Sequence, residues 1–284
     1  MHHFFIAPDL LANINVPPGN VVAPLAGAMP SDLSTRVSAT ISLPKDLAHQ
    51  IRDVLHLAIG EQLLLLDNTG DEILAAVTES NKSAVRVQLL DRRTGKSESP
   101  IRIILCQGLL KSARFEWILE KGTELGVSVF SPIHFRRSMA GLEDTGPNKI
   151  HRWQRIIQEA AEQCGRSRLP QLLPIRPLVH ALNEIPPGAL ALIPWEEEHN
   201  HSLHQALNTF RQTSQSQSTQ SLAQSPTTPV TVILFIGPEG GLTSEEIALA
   251  QRHAVQPVTL GPRILRAETA ALAAIANVMY ELER

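Results

Sequence analysis

The sequence predicts an α/β protein with a mostly parallel sheet in a large C-terminal part, preceded by a small β domain. Three observations carry this. After Pro100, apolar β-type runs alternate with helical stripes, the rhythm of strand–helix–strand units. Before it, three short β runs follow one another at close spacing, the pattern of a small barrel. Twice, a β run ends in a Gly-Pro loop that opens a helix, as at the strand ends of a parallel sheet.

Of the 284 residues, 43% are hydrophobic and 19% charged, which supports a sizeable core and excludes wholesale disorder. No apolar run approaches the roughly 18 residues a membrane-spanning helix needs. The start, Met1 to Asp9, has neither a basic region nor a long apolar stretch and does not read as a signal peptide. Cys106 and Cys164 cannot make a disulfide framework; a reduced, cytoplasmic setting is expected, with both as small buried hydrophobes.

Residues 11–36 are broken by Pro17, Pro18, Pro24 and Pro30 and read as an irregular insertion. Residues 45–58 read as an amphipathic helix with Leu47, Ile51, Val54, Leu55 and Ala58 on one side. The β runs are Gln62–Asp67, Glu72–Thr78 and Ala84–Leu90, separated by the polar turns 68–71 and 80–83. The stretch 91–100 reads as a linker, so the domains are expected at 1–95 and 100–284. Beyond it, Ile101–Cys106, Val127–Phe135, Ala189–Ile193 and Val230–Ile236 read as buried strands. One helical stripe is Phe115, Ile118, Leu119, Gly122 and Leu125; Trp117 lies off it, with packing the preferred reading over base stacking. A second stripe runs from Ile150 through Trp153 and Ile157 to Cys164, and the last helices are placed at 244–253 and 268–282. The Gln/Ser/Thr/Pro-rich tract 212–229 has almost nothing to bury and reads as a disordered loop.

Charge is uneven. The whole chain has 25 basic and 28 acidic residues, but residues 102–176 hold 12 basic and 7 acidic ones, an excess of five positive charges. Such a stretch fits either a local polyanion-binding face or an ordinary mixed surface.

The densest motif is Phe235-Ile236-Gly237-Pro238-Glu239-Gly240-Gly241-Leu242-Thr243, between a strand and a helix. Thr243 and Glu246 have capping-box spacing. The loop is neither a Walker A sequence nor Gly-x-Gly-x-x-Gly, so a phosphate cradle is not indicated; a tight connecting turn and a close approach to a ligand both fit. The second motif, Val258 to Ala270, again joins a β run through Gly261-Pro262 to a helix beginning near Glu268. Two such loops at strand ends can line one crevice, with Arg266 and Glu268 as charge and Ile264 and Leu265 as wall. Alternatively Arg266 pairs locally with Glu268. The run Glu196 to His204 has the composition of a zinc site, but no cysteine partner, and is read as exposed surface; no metal is expected.

Together with Gln107-Gly108-Leu109-Leu110-Lys111, Glu120-Lys121-Gly122-Thr123-Glu124-Leu125-Gly126-Val127 and Glu159 to Pro170, these loops resemble the bacterial RsmE family of SPOUT-class RNA methyltransferases, in family order and over residues 37–284. The resemblance implies a PUA-like β-barrel followed by a trefoil-knotted α/β domain, an exception to unknotted topology. It implies a homodimer without membrane association, acting on small-subunit ribosomal RNA or the assembled small ribosomal subunit. The reaction implied is methylation of N3 of one uridine of 16S rRNA, with S-adenosylmethionine as cofactor. Another RNA target (a transfer RNA base or a ribose 2′-OH) and a non-catalytic RNA-binding protein of the same fold are the alternatives.

By the same resemblance the cofactor is held by Leu192, Ile193 and Pro194 at one strand end, by Ile236, Gly237, Pro238, Glu239, Gly240 and Gly241, and by Leu260, Gly261, Ile264, Leu265, Arg266, Thr269 and Ala270. Arg266 and Glu268 are the expected catalytic residues: Arg266 is placed to stabilise the negative charge that develops on the uracil ring, and Glu268 orients it or the base edge, in preference to acting as general base. Lys111, Arg114, Arg136, Arg137, Arg152, Arg155, Arg166 and Arg168 are expected to contact RNA phosphates. His2, His3 and His56 stand where the family usually has arginines, which weakens the transfer of RNA-binding roles to the first domain.

Overall fold

In a computed structural model, the chain is described over residues 1–11, 39–141, 145–220 and 230–283, with backbone alone for 214–220. It divides into two compact units, Met1–Glu98 with Ala161–Leu169, and Ser99–Ala160 with Pro170–Arg284.

The first unit contains β1 (His2–Phe5), β2 (Thr40–Ser42), α1 (Lys45–His49), β3 (Gln62–Leu66), β4 (Asp71–Ser80) and β5 (Val85–Thr94). They form one five-stranded sheet of order β1-β3-β4-β5-β2, antiparallel except for the β1–β3 pair. Strand period two explains its core: Ile73, Ala75 and Val77 of β4 and Val85, Val87 and Leu89 of β5 all face inward, against Phe4 and Ile51. The turn after β4 is built by Asn81, whose Oδ1 accepts from Ser83 N and Ala84 N.

Two expectations change here. The helix over 45–58 is shorter: α1 gives way to a π-helical turn over Gln50–Val54, Val54 is 61% exposed, and His56 takes a left-handed φ of 52° that ends the helical run. The linker begins later than residue 91, because β5 continues through Thr94 and pairs with Glu72 and Asp71 of β4. Arg92 is drawn into that sheet by carboxylates, with Nε 2.8 Å from Asp71 Oδ2 and Nη2 3.1 Å from Asp67 Oδ2. The segment 11–36 lies outside the described residues except for Leu11, which is buried.

Ala161–Leu169 belongs to the first unit for a physical reason. Glu98 accepts from the backbone N–H groups of Ser167 and Arg168, both at 3.0 Å, and its other oxygen takes Arg166 Nη2 at 2.9 Å. Phe5 N donates to Glu162 Oε1, and Leu169 N to Asn68 Oδ1.

The second unit contains β6 (Ile101–Gly108), α2 (Ser112–Glu124), β7 (Val127–His134), α3 (Pro147–Cys164, its end from Ala161 counted with the first unit), β8 (Gln171–Leu172), β9 (Arg176–Pro177), α4 (Leu178–Asn183), β10 (Leu190–Pro194), α5 (Leu203–Gln220), β11 (Val230–Ile236), α6 (Ser244–Arg252), β12 (Gln256–Val258) and α7 (Ala267–Leu282). Every pairing is parallel, in the order β12-β10-β11-β6-β7-β8, with β9 also on β7. Both faces are covered, which is why the strands read as continuous apolar runs. Ile103, Leu105, Leu192, Val232 and Leu234 pack on one face with Phe115, Trp153, Leu207 and Ile275 from helices. Cys106, Ile193, Ile233 and Phe235 pack on the other with Leu182 and Ile247. The tract 212–229 is not wholly a loop, since α5 runs on to Gln220; residues 221–229 lie outside the described residues. No helix among the described residues is long and apolar enough to cross a membrane.

Trp117 is 43% exposed, so it does not pack as expected, and of the two cysteines only Cys106 is buried. Burial pushes the Cys106 thiol up to about 12 from an ordinary 9.0, since a thiolate there would lose its hydration. Thiol-specific alkylation of the native protein at pH 8 is therefore expected to modify Cys164 and spare Cys106 until denaturant is added, as peptide mass mapping would show. The Thr243–Glu246 capping box is fully formed, each side chain satisfying the other's backbone N–H. Thr243→Ala is expected to lower unfolding stability by about 1 kcal/mol in urea titration.

Candidate active site

The carboxyl ends of β10, β11 and β12 converge on one pocket, as the rule for parallel sheets requires. It has a volume of about 690 Å³. The loop after β11, which lines it, is fixed by a close backbone approach. At Gly108, the last residue of β6, a Cβ would lie 2.6 Å from Pro238 N, so only glycine lets the loop after β11 sit there. That loop turns tightly, with Gly241 N donating to Pro238 O at 3.0 Å. Two further ties hold it. Arg137 Nη1 donates to the carbonyls of Gly240 and Leu242, and buried Glu246 accepts from Arg136 N at 2.8 Å and Thr243 N at 2.9 Å.

The opposite wall is the loop from Thr259 to Arg266. Gly261 adopts φ +116°, a conformation side chains avoid, and its N–H donates to Thr259 Oγ1. Thr259 is itself anchored by its N–H to His201 O and by its carbonyl, which accepts from Leu203 N. Ile264 is left 82% exposed at the rim.

Of the residues expected to hold a cofactor, Pro194, Ile236, Gly237, Pro238, Glu239, Gly241, Leu260, Gly261, Ile264, Leu265, Arg266 and Ala270 line this pocket together with Glu268. Leu192, Ile193, Gly240 and Thr269 do not. Leu192 and Ile193 are fully buried within β10, one on each face of the sheet. Gly240 lies against Arg137, whose carbonyl a Cβ would meet at 2.9 Å. Thr269 is exposed on α7. The wall also includes Trp195, Glu196 and His199, which sequence reasoning missed as cofactor-site residues: they follow Pro194 at the end of β10, where the Glu/His-rich composition reads as exposed surface.

Arg266 and Glu268 both border the pocket, yet they do not pair. The Arg266 guanidinium has no ion-pair or hydrogen-bond partner among the described residues, and it is exposed at the first residue before α7. Glu268 instead faces Arg114, whose Nε lies 3.6 Å from its Oε1, while its Oε2 is buried with no hydrogen-bond partner. Arg114 also donates to Glu239.

The remaining cations expected at RNA are mostly engaged. Arg152 holds Glu116 with two bonds of 2.7 and 2.8 Å, which keeps that carboxyl below the usual carboxylate range. Arg155 bonds Glu159, Arg136 lies 3.6 Å from Glu245, and Arg166 is buried against Glu98. Lys111 and Arg168 are exposed and carry no ion pair among the described residues. The histidine-rich run is dispersed in structure. Glu198 Oε1 accepts from the N–H groups of Asn200 and His201, which hold that carboxyl below its ordinary range, and His204 bonds Glu281. Among the described residues no group of three His, Cys, Asp or Glu is placed to hold a metal ion.

Comparison with known proteins agrees with this geometry. The model of the RNA methyltransferase domain matches residues 97–279. Ribosomal RNA small subunit methyltransferase E of Bacillus subtilis is 30% identical over 86% of this chain and 91% of its own length. The protein of that name from a Synechocystis species is 32% identical over 87% of this chain and 75% of its own length. The crystal structure of a ribosomal RNA small subunit methyltransferase E from Neisseria gonorrhoeae, bound to S-adenosyl methionine, superposes with a TM-score of 0.73 at 28% identity, covering 99% of this chain and 97% of that one. The chain belongs to the RNA methyltransferase domain family, and within it to the family of ribosomal RNA small subunit methyltransferase E.

Proposed function

We propose that this protein transfers a methyl group from S-adenosylmethionine to N3 of one uridine of 16S rRNA in the small ribosomal subunit. The observation that carries the reading is the pocket itself: two Gly-Pro loops, pinned by backbone contacts at the ends of a parallel sheet, inside a domain of the RNA methyltransferase family. Its volume of about 690 Å³ suits a nucleoside-sized ligand. Its donor set is mixed, with a buried, unpartnered carboxylate oxygen on Glu268 and a free guanidinium on Arg266, which fits a ligand carrying both positive and negative groups. When bound, the cofactor supplies an activated methyl group on a sulfonium, so the chain's own residues have to position and stabilise rather than activate.

The imide N–H of uracil is weakly acidic, and losing its proton spreads negative charge over O2, N3 and O4. Arg266, free and at the pocket mouth, would meet that charge as it develops. The base must leave its stack to arrive there, which favours a single-stranded or junction nucleotide. Lys111 and Arg168 are the uncommitted cations that would meet phosphates.

The wider reading comprises a cytoplasmic homodimer, a knotted catalytic domain over 100–284 and a PUA-like barrel over 1–95 that grips RNA. Exposed Trp117 on α2 and Tyr280 on α7, at 43% and 62%, support the homodimer as apolar surface that a second copy would cover. The meander β3–β4–β5 supports the barrel.

Labelled S-adenosylmethionine incubated with small subunits from a strain lacking the enzyme tests the reaction, and a single N3-methyluridine is the expected product. Label in transfer RNA instead would overturn the substrate, and no label with tight RNA binding would favour a non-catalytic role. Arg266→Ala is expected to slow turnover by about 10²–10³-fold while leaving S-adenosylhomocysteine affinity within about twofold; equal loss of both would make Arg266 a structural residue.

A further inference from the structure

Arg114 fits neither of the roles its position in a basic stretch suggests. It sits in the first turn of α2, yet its guanidinium reaches two other elements: Nη1 donates to Glu239 in the loop after β11, and Nε lies 3.6 Å from Oε1 of Glu268 in the first turn of α7. A phosphate approaching this trio would meet two carboxylates and one guanidinium, a net negative charge, so it is not a phosphate site. Only one oxygen of Glu268 is engaged. The other, Oε2, is buried without a partner on a residue that is 9% exposed and lines the pocket. A carboxylate oxygen can only accept, and leaving it dry and unpartnered is costly unless a ligand brings a donor.

We propose that Arg114 is a positioning residue of the methyl-transfer site: its guanidinium clamps Glu239 and Glu268, so that Oε2 of Glu268 is held as the acceptor for an N–H donor of the bound reactants. The clamp rests on the reading of this pocket as the methyl-transfer site. It needs an arginine, because a planar fork spans two carboxylates on different elements, a loop and a helix, where a lysine offers one point charge. Two reactants carry such a donor. The target uracil presents its N3–H, and the cofactor presents its α-ammonium. A cytosine would present a lone pair at N3 and be repelled by the same oxygen, so in the first case Glu268 also discriminates between pyrimidines.

Full-length Arg114→Ala, Arg114→Lys, Glu268→Gln and the Arg114→Ala/Glu268→Gln double variant test this, with wild-type incorporation measured first so that failure of the clamp is separable from failure of the reaction it serves. Each alanine or glutamine variant is expected to cut single-turnover methylation by about ten- to hundredfold, the loss expected for a hydrogen bond to a charged group. The double variant is expected to be no slower than the slower single one, because both remove the same interaction. Arg114→Lys should recover little, and the salt dependence of RNA binding should stay as in the wild type. Calorimetry of S-adenosylhomocysteine on Glu268→Gln identifies the donor: weakened binding assigns the ammonium, and intact binding with slow methylation assigns the base. Losses that simply add, full activity in Glu268→Gln, or a salt slope reduced by about one in Arg114→Ala would each overturn the clamp. Should Arg114→Ala fail to fold by thermal melt, Arg114→Lys takes its place in the cycle, with the same criteria.

Discussion

The contact on which the site depends is between two backbones. Gly108 ends β6 directly against Pro238, closer than any side chain would permit. Because β6 and β11 are neighbours in register from Ile101 opposite Val230 to Gln107 opposite Ile236, the whole parallel ladder feeds into that point. The loop after β11 has no freedom left once Gly108, Arg137 and Glu246 have taken hold of it. Rigidity of this kind suits a methyltransferase, since alignment of donor and acceptor can supply a substantial part of the rate.

Charge at the site follows a different logic from charge along the sequence. Residues 102–176 are basic, and the simplest expectation spreads that charge toward RNA. In the structure several of these arginines have other uses. Arg137 braces a loop, Arg152 locks Glu116, Arg166 fastens Ala161–Leu169 to Glu98, and Arg114 bridges two pocket carboxylates. Basic excess measured in sequence therefore overstates the free positive surface, because carboxylates distant in sequence neutralise it in space.

What was legible in the sequence was what local chemistry alone decides. Apolar runs became buried strands, the capping box placed α6, and the two Gly-Pro loops met at one pocket. What was not legible depends on partners far along the chain. Nothing local distinguishes Arg114 from Arg155, yet one faces Glu268 and the other only Glu159, four residues away. Leu192 and Ile193 read as a strand end beside the ligand, but the pairing of β10 with both β11 and β12 buries them entirely. The early end of the helical run that begins with α1 rests on a left-handed His56, for which sequence patterns carry almost no signal. The extension of α5 through a polar tract likewise runs against composition.

The strand order has a consequence for synthesis. β11 lies between β10 and β6, although β6 leaves the ribosome more than a hundred residues earlier. Until Val230–Ile236 emerges, the inner edge of β6 has no neighbour and β10 no ladder on its β6-facing side. A nascent chain halted before that point carries two unsealed sheet edges rich in isoleucine and leucine, the kind of surface that pairs with whatever strand is near. The central strand and the pocket loop that follows it thus arrive together, so the same seven residues that close the sheet against aggregation also deliver the pocket.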